Sequence, residues 1–435
     1  MSKVTREITL FAGLLGLMAI IWTTFGSAYT LRMSIEAMCY AMLALGLTIQ
    51  WGYAGLFNVG VMGFVAVGAF TTVILCFPIN ADFWNSDNPA ALGGVLLRLA
   101  VGVVIVFAVS RIDRIGASRK FRNWMMWIAI AVVYLTVSSA LDPVARNIEE
   151  TSYFVGGLGL PVWIGWIAGG LMAGVVAWLI GHICLGLRSD YLAIATVGIA
   201  EIIKTLLKNA DWLTKGTLTV SPLPWPVPTP NDVGFIAARA GYLSITAAMV
   251  VVIYLLVERA YKAPWGRMMR SIRDNEIAAE SMGKDVNRRR LEIFILGNIF
   301  IGIGGAALVT SVRIFDPSGF IPLYHTFLVW VMVILGGSGN NRGAIFGAVF
   351  VYILWTMSEP VAIVLFDYIE IWGRQWFDWD PPRDLDSRAL SMRVFVIGLA
   401  IVLVLRYAPK GLIPEEVIRH GGDDGDGDKT PSPMM

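Results

Sequence analysis

Charge is scarce in this sequence. Only 15% of its 435 residues are Asp, Glu, Lys or Arg, while 56% are hydrophobic and the mean hydropathy is +0.67. Soluble domains carry roughly a quarter charged residues, so this balance excludes a water-soluble enzyme and a disordered chain alike. Neither sign dominates, with 34 basic and 32 acidic side chains, and no basic field invites nucleic acid. Cysteine and histidine are nearly missing. Cys39, Cys76 and Cys184, like His182, His325 and His420, are scattered at no metal-ligand spacing, which argues against a disulfide framework and a metal centre. Catalytic signatures are lacking too: Gly283-Lys284 is followed by Asp285 rather than Ser or Thr, and neither His-Glu-x-x-His nor Gly-x-Ser-x-Gly occurs. Gly302-Ile303-Gly304-Gly305 lies in an apolar run with no preceding strand and reads as helix packing. No cofactor is expected on this chain.

What the chain does have is apolar length. A helix crossing a bilayer needs about 20 apolar residues, and runs near 8–29, 34–50, 60–77, 92–110, 124–141, 162–185, 191–208, 241–257, 292–311, 326–337, 343–366 and 392–406 predict an all-α polytopic membrane protein of about 10–12 transmembrane helices. The tenth run is short and reads as a half-helix. The first is too long for a signal-peptide core and reads as a retained span. With the N-terminus in the cytoplasm, the basic 111–122 segment and the 258–291 loop fall inside, as the positive-inside rule requires. The acidic 367–391 loop and the proline-rich 209–240 loop then fall outside, and both termini are cytoplasmic. Residues 1–415 form the transmembrane domain, and the Gly/Asp-rich 416–435 segment reads as a disordered cytoplasmic tail. Gly165/Gly169, Gly170/Gly174 and Gly343/Gly347 are small-xxx-small pairs suited to close helix contact.

A charge at mid-membrane costs several kcal/mol and faces protein or a wet cavity. Arg98, Glu201, Lys204 and Lys208 lie within apolar runs. Glu201 and Lys204, three apart, share a helix face: either a structural ion pair or part of a solute path. Glu36, beside Arg32 near the start of its span, reads as an interfacial residue. Gly52, Gly55 and Gly60 surround Asn58, so Tyr53–Gly60 is predicted to be non-helical, either lining the solute path or forming a cytoplasmic turn. The 258–291 loop is the strongest local feature. Over 258–292 it carries nine bases and six acids, and a helical period from Arg267 to Met282 puts Met268, Ile272, Ala279 and Met282 on one flank. Arg270, Arg273, Asp274, Glu276 and Glu280 fall on the other. Mixed signs fit a protein-docking helix better than one lying on lipid headgroups.

The stretch Gly266-Arg-Met-Met-Arg-Ser-Ile-Arg-Asp-Asn-Glu-Ile-Ala-Ala-Glu-Ser-Met-Gly283 resembles the coupling loop of the permease subunits of bacterial branched-chain amino-acid ABC importers, through Ala278-Ala279, Gly283 and Ile293. Glu276 lies one residue early for that motif, and Leu296 stands where proline is common. Four further segments are similar to the same family: Tyr191 to Ile202, Trp51 to Gly60 with Phe64 to Phe70, Leu335-Gly-Gly-Ser-Gly339, and Tyr407-Ala-Pro-Lys-Gly-Leu412. The 78–160 region looks expanded relative to that pattern. The resemblance implies an ATP-driven importer in the inner membrane, in which this chain pairs with a second homologous permease, two ATP-binding subunits and a periplasmic substrate-binding protein. ATP would be used by the partner subunits. Arg267, Arg270, Arg273, Asp274, Glu276, Ala279 and Gly283 would couple to the ATPase, and Tyr53, Gly55, Asn58, Gly60, Tyr191, Thr196 and Glu201 would line the solute path. Importers of urea, short amides or aromatic acids, and an ion-coupled transporter working through Glu201, are the alternatives.

Overall fold

The computed structural model describes residues 3–112, 118–377 and 385–415. In a bilayer, apolar segments must pair their backbone amides internally. Among the described residues the chain is accordingly helical between short connections, with β-structure limited to two isolated bridges, Ile79 with Gly156 and Val220 with Phe315. In chain order the helices are α1 (Lys3–Phe25), α2 (Ser27–Thr48), α3 (Val61–Cys76), the short α4 (Ala81–Trp84), α5 (Asn88–Ser110) and α6 (Arg119–Ser152). They continue as α7 (Val162–Cys184), α8 (Ser189–Asn209), the short α9 (Asp211–Thr214) and α10 (Pro230–Val233), and α11 (Phe235–Lys262). The last are α12 (Pro264–Asp274), α13 (Glu276–Ser281), α14 (Val286–Val312), α15 (Pro322–Gly336), α16 (Asn341–Phe377) and α17 (Leu385–Tyr407).

Twelve of these helices, all except α4, α9, α10, α12 and α13, match the predicted apolar runs one for one. Eight are long and apolar enough to cross a membrane, while α3 and α15 are shorter apolar helices. The boundaries differ in places. The first turn falls at Gly26, not at 30–33, and α6 and α16 continue well past the predicted 141 and 366. The expected disordered tail, 416–435, and the centres of the 111–123 and 367–391 loops lie outside the described residues.

The hub is α2, buried for nearly its whole length because α1, α11, α14, α15 and α16 all pack against it. A second cluster joins α3, α7 and α14, and here the predicted small-residue pairs find their partners. Gly165 and Gly169 meet α3, whereas Gly170 and Gly174, on the adjoining face, meet Ile299 and Ile303 of α14; Gly343 and Gly347 meet the end of α15. Gly302, from the run read as helix packing, lies against Gly68 of α3: a Cβ on Gly68 would stand 2.1 Å from the Gly302 carbonyl oxygen. By contrast, α5 and α6 pack chiefly on each other and expose a largely apolar surface, forming a hairpin that occupies the expanded 78–160 region.

The helices sort the loops between two ends. At one, Glu7 pairs with Arg342 at 2.9 Å and Arg273 with Glu415 at 3.1 Å. At the other, Arg239 donates to the Ala28 carbonyl at 2.6 Å and the Leu223 amide donates to the Arg313 carbonyl at 3.0 Å. Of the segments expected to share the cytoplasmic side, the start of α1, the 258–291 loop and the described C-terminal stretch up to Glu415 lie at the first end. Gly68→Leu is expected to push α3 off α14 and α7, an overpacking cost of about 1–3 kcal/mol, and to lower the thermal midpoint of the detergent-purified protein. An unchanged midpoint would show that this crossing tolerates a side chain.

Candidate functional site

The 258–291 loop begins where α11 ends and Pro264 opens α12, a position where the missing amide donor costs nothing. Met269 and Ile272 are buried against the bundle, and Arg267, Ser271 and Asp274 point outward. The helix does not run on to Met282 as expected. It stops at Asn275, which is extended (φ −156°, ψ 101°) and caps α13 by accepting a hydrogen bond from the Ala278 amide at 3.0 Å. Asparagine competes for backbone donors in this way and so favours caps over helix interiors. The result is an elbow of two helices. Of the apolar flank, Ala279 is buried against this chain, whereas Met282 is 80% exposed beside an equally bare Ile277. Gly283 has open space around it within this chain and takes a left-handed turn (φ +76°) that favours glycine.

Two arginines expected to reach a partner instead grip their own chain. Arg270 donates to the Tyr261 hydroxyl at 3.0 Å and lies 4.3 Å over that ring. Arg273 donates to the Gly52 carbonyl and to both carboxylate oxygens of Glu415, at 3.1 and 3.2 Å, while its Nε reaches Asp274 at 3.2 Å. Burial disfavours the charged guanidinium, yet Glu415 and Asp274 outweigh it and raise the Arg273 pKa above its ordinary value. Glu276 is held bidentately by Arg290 at 2.7 and 2.8 Å. The side chains left to meet another protein are Arg267, Asp274, Ile277, Glu280 and Met282, with Glu276 at the margin.

The carbonyl that Arg273 holds belongs to the irregular segment. Here α2 widens into a π-turn over Ile49–Tyr53; of the segment Tyr53–Gly60 predicted to be non-helical, Gly55–Gly60 is, while Tyr53 closes the π-turn. Gly55 takes a left-handed conformation (φ +66°) against the Arg273 side chain. Asn58 is fully buried and makes the central knot: its Nδ2 donates to Gln50 Oε1 at 2.9 Å and to Asn298 Oδ1 at 3.3 Å, and its Oδ1 accepts from the Gly60 amide at 2.9 Å. Trp330 donates to its carbonyl at 3.0 Å. Thr196 accepts from the Val59 amide at 3.1 Å, and Gly60 packs so closely on α8 that a Cβ would lie 2.4 Å from the Thr196 carbonyl oxygen. Tyr53 donates to Asn341 at 2.5 Å, and Asn341 in turn to Glu258 at 2.8 Å.

The rest of α8 divides into two faces. Thr196 and Ala200 are buried, whereas Tyr191 is 61% exposed. Glu201 does pair with Lys204, at 3.7 Å, but half of its side chain is bare, which corrects the expectation that it faces the interior of this chain. Sequence reasoning missed Gln50, Asn298, Asn341 and Glu415. The rule that flagged Glu201, polarity inside an apolar run, would also have found Asn298 and Gln50.

The five segments singled out in the sequence therefore meet at one end of the bundle. The C-terminal stretch lies along the glycine-rich end of α15, with the Leu412 and Ile413 amides donating to the Leu335 and Gly336 carbonyls at 2.9 Å each. Gly339 in turn lies against Gly52, where a Cβ would stand 2.6 Å from the Gly339 nitrogen. The fold is that of a polytopic helical permease, with an exposed elbow clasped to the irregular end of its hub helix. The family described as "Branched-chain amino acid transport system / permease component" matches residues 29–154 and 87–405, and the chain belongs to it. It is 24% identical over 433 residues to the high-affinity branched-chain amino acid transport system permease protein LivM of Escherichia coli, covering 95% of this chain and 76% of that one. It is 23% identical over 386 residues to a probable branched-chain amino acid transport permease protein LivM of Methanocaldococcus jannaschii (87% and 91% covered). A more distant relative, at 22% over 367 residues, is the E. coli xylose transport system permease protein XylH, with 74% and 85% covered. No solved structure matches.

Two substitutions separate the knot from the exposed pair. Asn58→Leu strands Gln50, Asn298 and the Gly60 amide, and each stranded buried group costs about 1–3 kcal/mol, so the folded yield and thermal midpoint should fall sharply. Glu201→Gln removes only a half-exposed partner and should leave the midpoint of the isolated chain within error of wild type. Equal losses in the two variants would mean that Glu201 is as tightly held as Asn58.

Proposed function

We propose that this chain is the membrane-spanning permease subunit of an ATP-driven importer of branched-chain amino acids. In that assembly it pairs with a second homologous permease, two ATP-binding subunits and a periplasmic substrate-binding protein, in the inner membrane with both termini cytoplasmic. The observation that carries the reading is the Arg273 clasp. The elbow presents Ile277, Met282, Asp274 and Glu280 outward while Arg273 ties it to the Gly52 carbonyl, so a partner that moves the elbow moves the irregular segment and with it α2, α3 and α8. ATP hydrolysis belongs to the partners, and this chain supplies the lever and, along Tyr53–Gly60 and the Tyr191–Glu201 face, part of the solute path. The LivM relatives support the amino-acid cargo, and the likeness to a xylose permease makes the solute the quantity to measure.

The test is leucine uptake into liposomes containing the assembled complex. Met282→Asp places a charge on the apolar docking knob and should reduce co-purification of the ATP-binding subunits. Arg273→Gln keeps that surface but loses a charge-assisted contact worth about 1.5–3 kcal/mol. It should leave co-purification intact while lowering uptake tenfold or more per ATP hydrolysed. Uptake that runs on an ion gradient without ATP would overturn the importer reading, and accumulation of xylose or urea with leucine excluded would overturn the cargo.

A further inference from the structure

At the end of the bundle away from the elbow, a cavity of about 420 Å³ opens between α2, α16 and α17. Its walls carry two ion pairs: Arg32 Nε donates to Glu36 Oε1 at 2.9 Å, and Arg393 Nη2 donates to Glu359 Oε2. Glu36 also accepts from the Tyr352 hydroxyl, and the Arg393 guanidinium sits 5.0 Å over the Trp355 ring. Glu36 is thus one corner of a four-charge cluster and not the simple interfacial residue that its spacing from Arg32 predicted. Counting along α16 at about 1.5 Å per residue, Glu359 lies roughly 27 Å from the elbow end, close to the outer edge of a hydrocarbon core about 30 Å thick.

Neutralising two arginines needs only the two carboxylates, and would not by itself leave a cavity between them. The volume lies in the range of small-molecule sites. Arg393 Nε is buried there without a hydrogen-bond partner, although such groups are nearly always satisfied in native proteins. The side chain of Arg32 is 59% exposed, with donors to spare. The charges sum to zero, so a lone anion or cation would unbalance them, and an uncharged solute would leave them unused. A molecule with one charge of each sign fits both walls.

We propose that this cavity binds the zwitterion of a small α-amino acid, its carboxylate facing Arg393 and Arg32, its ammonium facing Glu359 and Glu36, and its aliphatic side chain against Trp355 and Met33. The choice of an aliphatic side chain rests on the importer reading above. The site itself stands at the outer mouth of the chain, remote from the coupling elbow. A phosphatidylethanolamine headgroup shares the paired-charge chemistry and is separated from an amino acid by the experiment.

The probe is radiolabelled leucine, bound to the permease complex in nanodiscs of phosphatidylcholine and phosphatidylglycerol, free of the soluble binding protein. Saturable binding is expected, with 4-methylpentanoate and 3-methylbutylamine, which keep one charge each, competing at least about tenfold more weakly. Glu359→Gln and Arg393→Lys should each weaken leucine about tenfold. Thr356 also lines the cavity, and Thr356→Val, which leaves both ion pairs in place, should weaken it less while keeping the wild-type thermal midpoint. The proposal falls if no saturable binding occurs in a complex that still imports leucine, a result that leaves the importer reading standing. It falls equally if the single-charge analogues compete as well as leucine, or if phosphatidylethanolamine alone displaces the label. Intact leucine binding in a complex that imports no leucine would support the site and remove the importer reading instead.

Discussion

Every backbone amide at membrane depth must find a partner inside the protein, and α2 breaks the helix that would provide one. From Gly55 to Gly60 backbone carbonyls serve the Gly55, Leu56 and Asn58 amides, and side chains serve those of Val59 and Gly60. Asn58 serves the Gly60 amide, Thr196 the Val59 amide, and Trp330 the Asn58 carbonyl. Those side chains come from α8 and α15 as well as from the segment itself, while Asn298 of α14 and Gln50 fix the Asn58 amide. Satisfying six irregular residues therefore sets the register of three other helices. The close crossing of α3, α7 and α14 at Gly68, Gly169 and Gly302 completes the constraint, because backbones in contact leave no slack for one helix to slide alone.

That rigidity gives the Arg273 clasp its mechanical meaning. A guanidinium bonded at once to the Gly52 carbonyl and the Glu415 carboxylate joins the elbow, the end of α2 and the C-terminal stretch along α15. Breaking it would leave a partly buried charge without its partners, which costs more than the pair itself contributes. In the proposed assembly, displacement of the elbow would be carried into the bundle as a shift of packed elements and not absorbed as bending. A partner that binds one arrangement more tightly biases the population toward it.

Local periodicity made the helices legible. Twelve apolar runs became twelve helices, and the small-residue pairs found the neighbours their spacing requires. The mixed-charge loop, too, was recognisable from residue order alone as a helical element with a buried flank and a charged, exposed one. What the sequence could not reveal were partners distant along the chain. Arg270 and Arg273 have the helical spacing of a solvent-facing stripe, and nothing nearby shows that Tyr261, Gly52 and Glu415 curl beneath them. Glu36 has an obvious neighbour in Arg32, which hid its second partner, Tyr352, more than 300 residues away. Asn275 was misread for another reason: its capping side chain won over a helical period that both flanks satisfy.

The uncovered faces of the bundle are not alike. On α11 the bare residues include Val251, Val252, Leu255 and Leu256, and on α7 they include Trp163, Ile167, Leu171 and Val175, with no charge among them. Hydrocarbon suits both. The bare face of α8 interrupts Ile194 and Ile202 with Glu201, some 18 Å along the helix at about 1.5 Å per residue, and Lys204 and Lys208 follow within two turns. Lipid against that face would strand a charged pair in hydrocarbon at a cost of several kcal/mol. Water or protein must cover it. In the proposed assembly a second permease set against α8 would do both, closing a wet path with this face as its wall and the segment held by Thr196 as its floor.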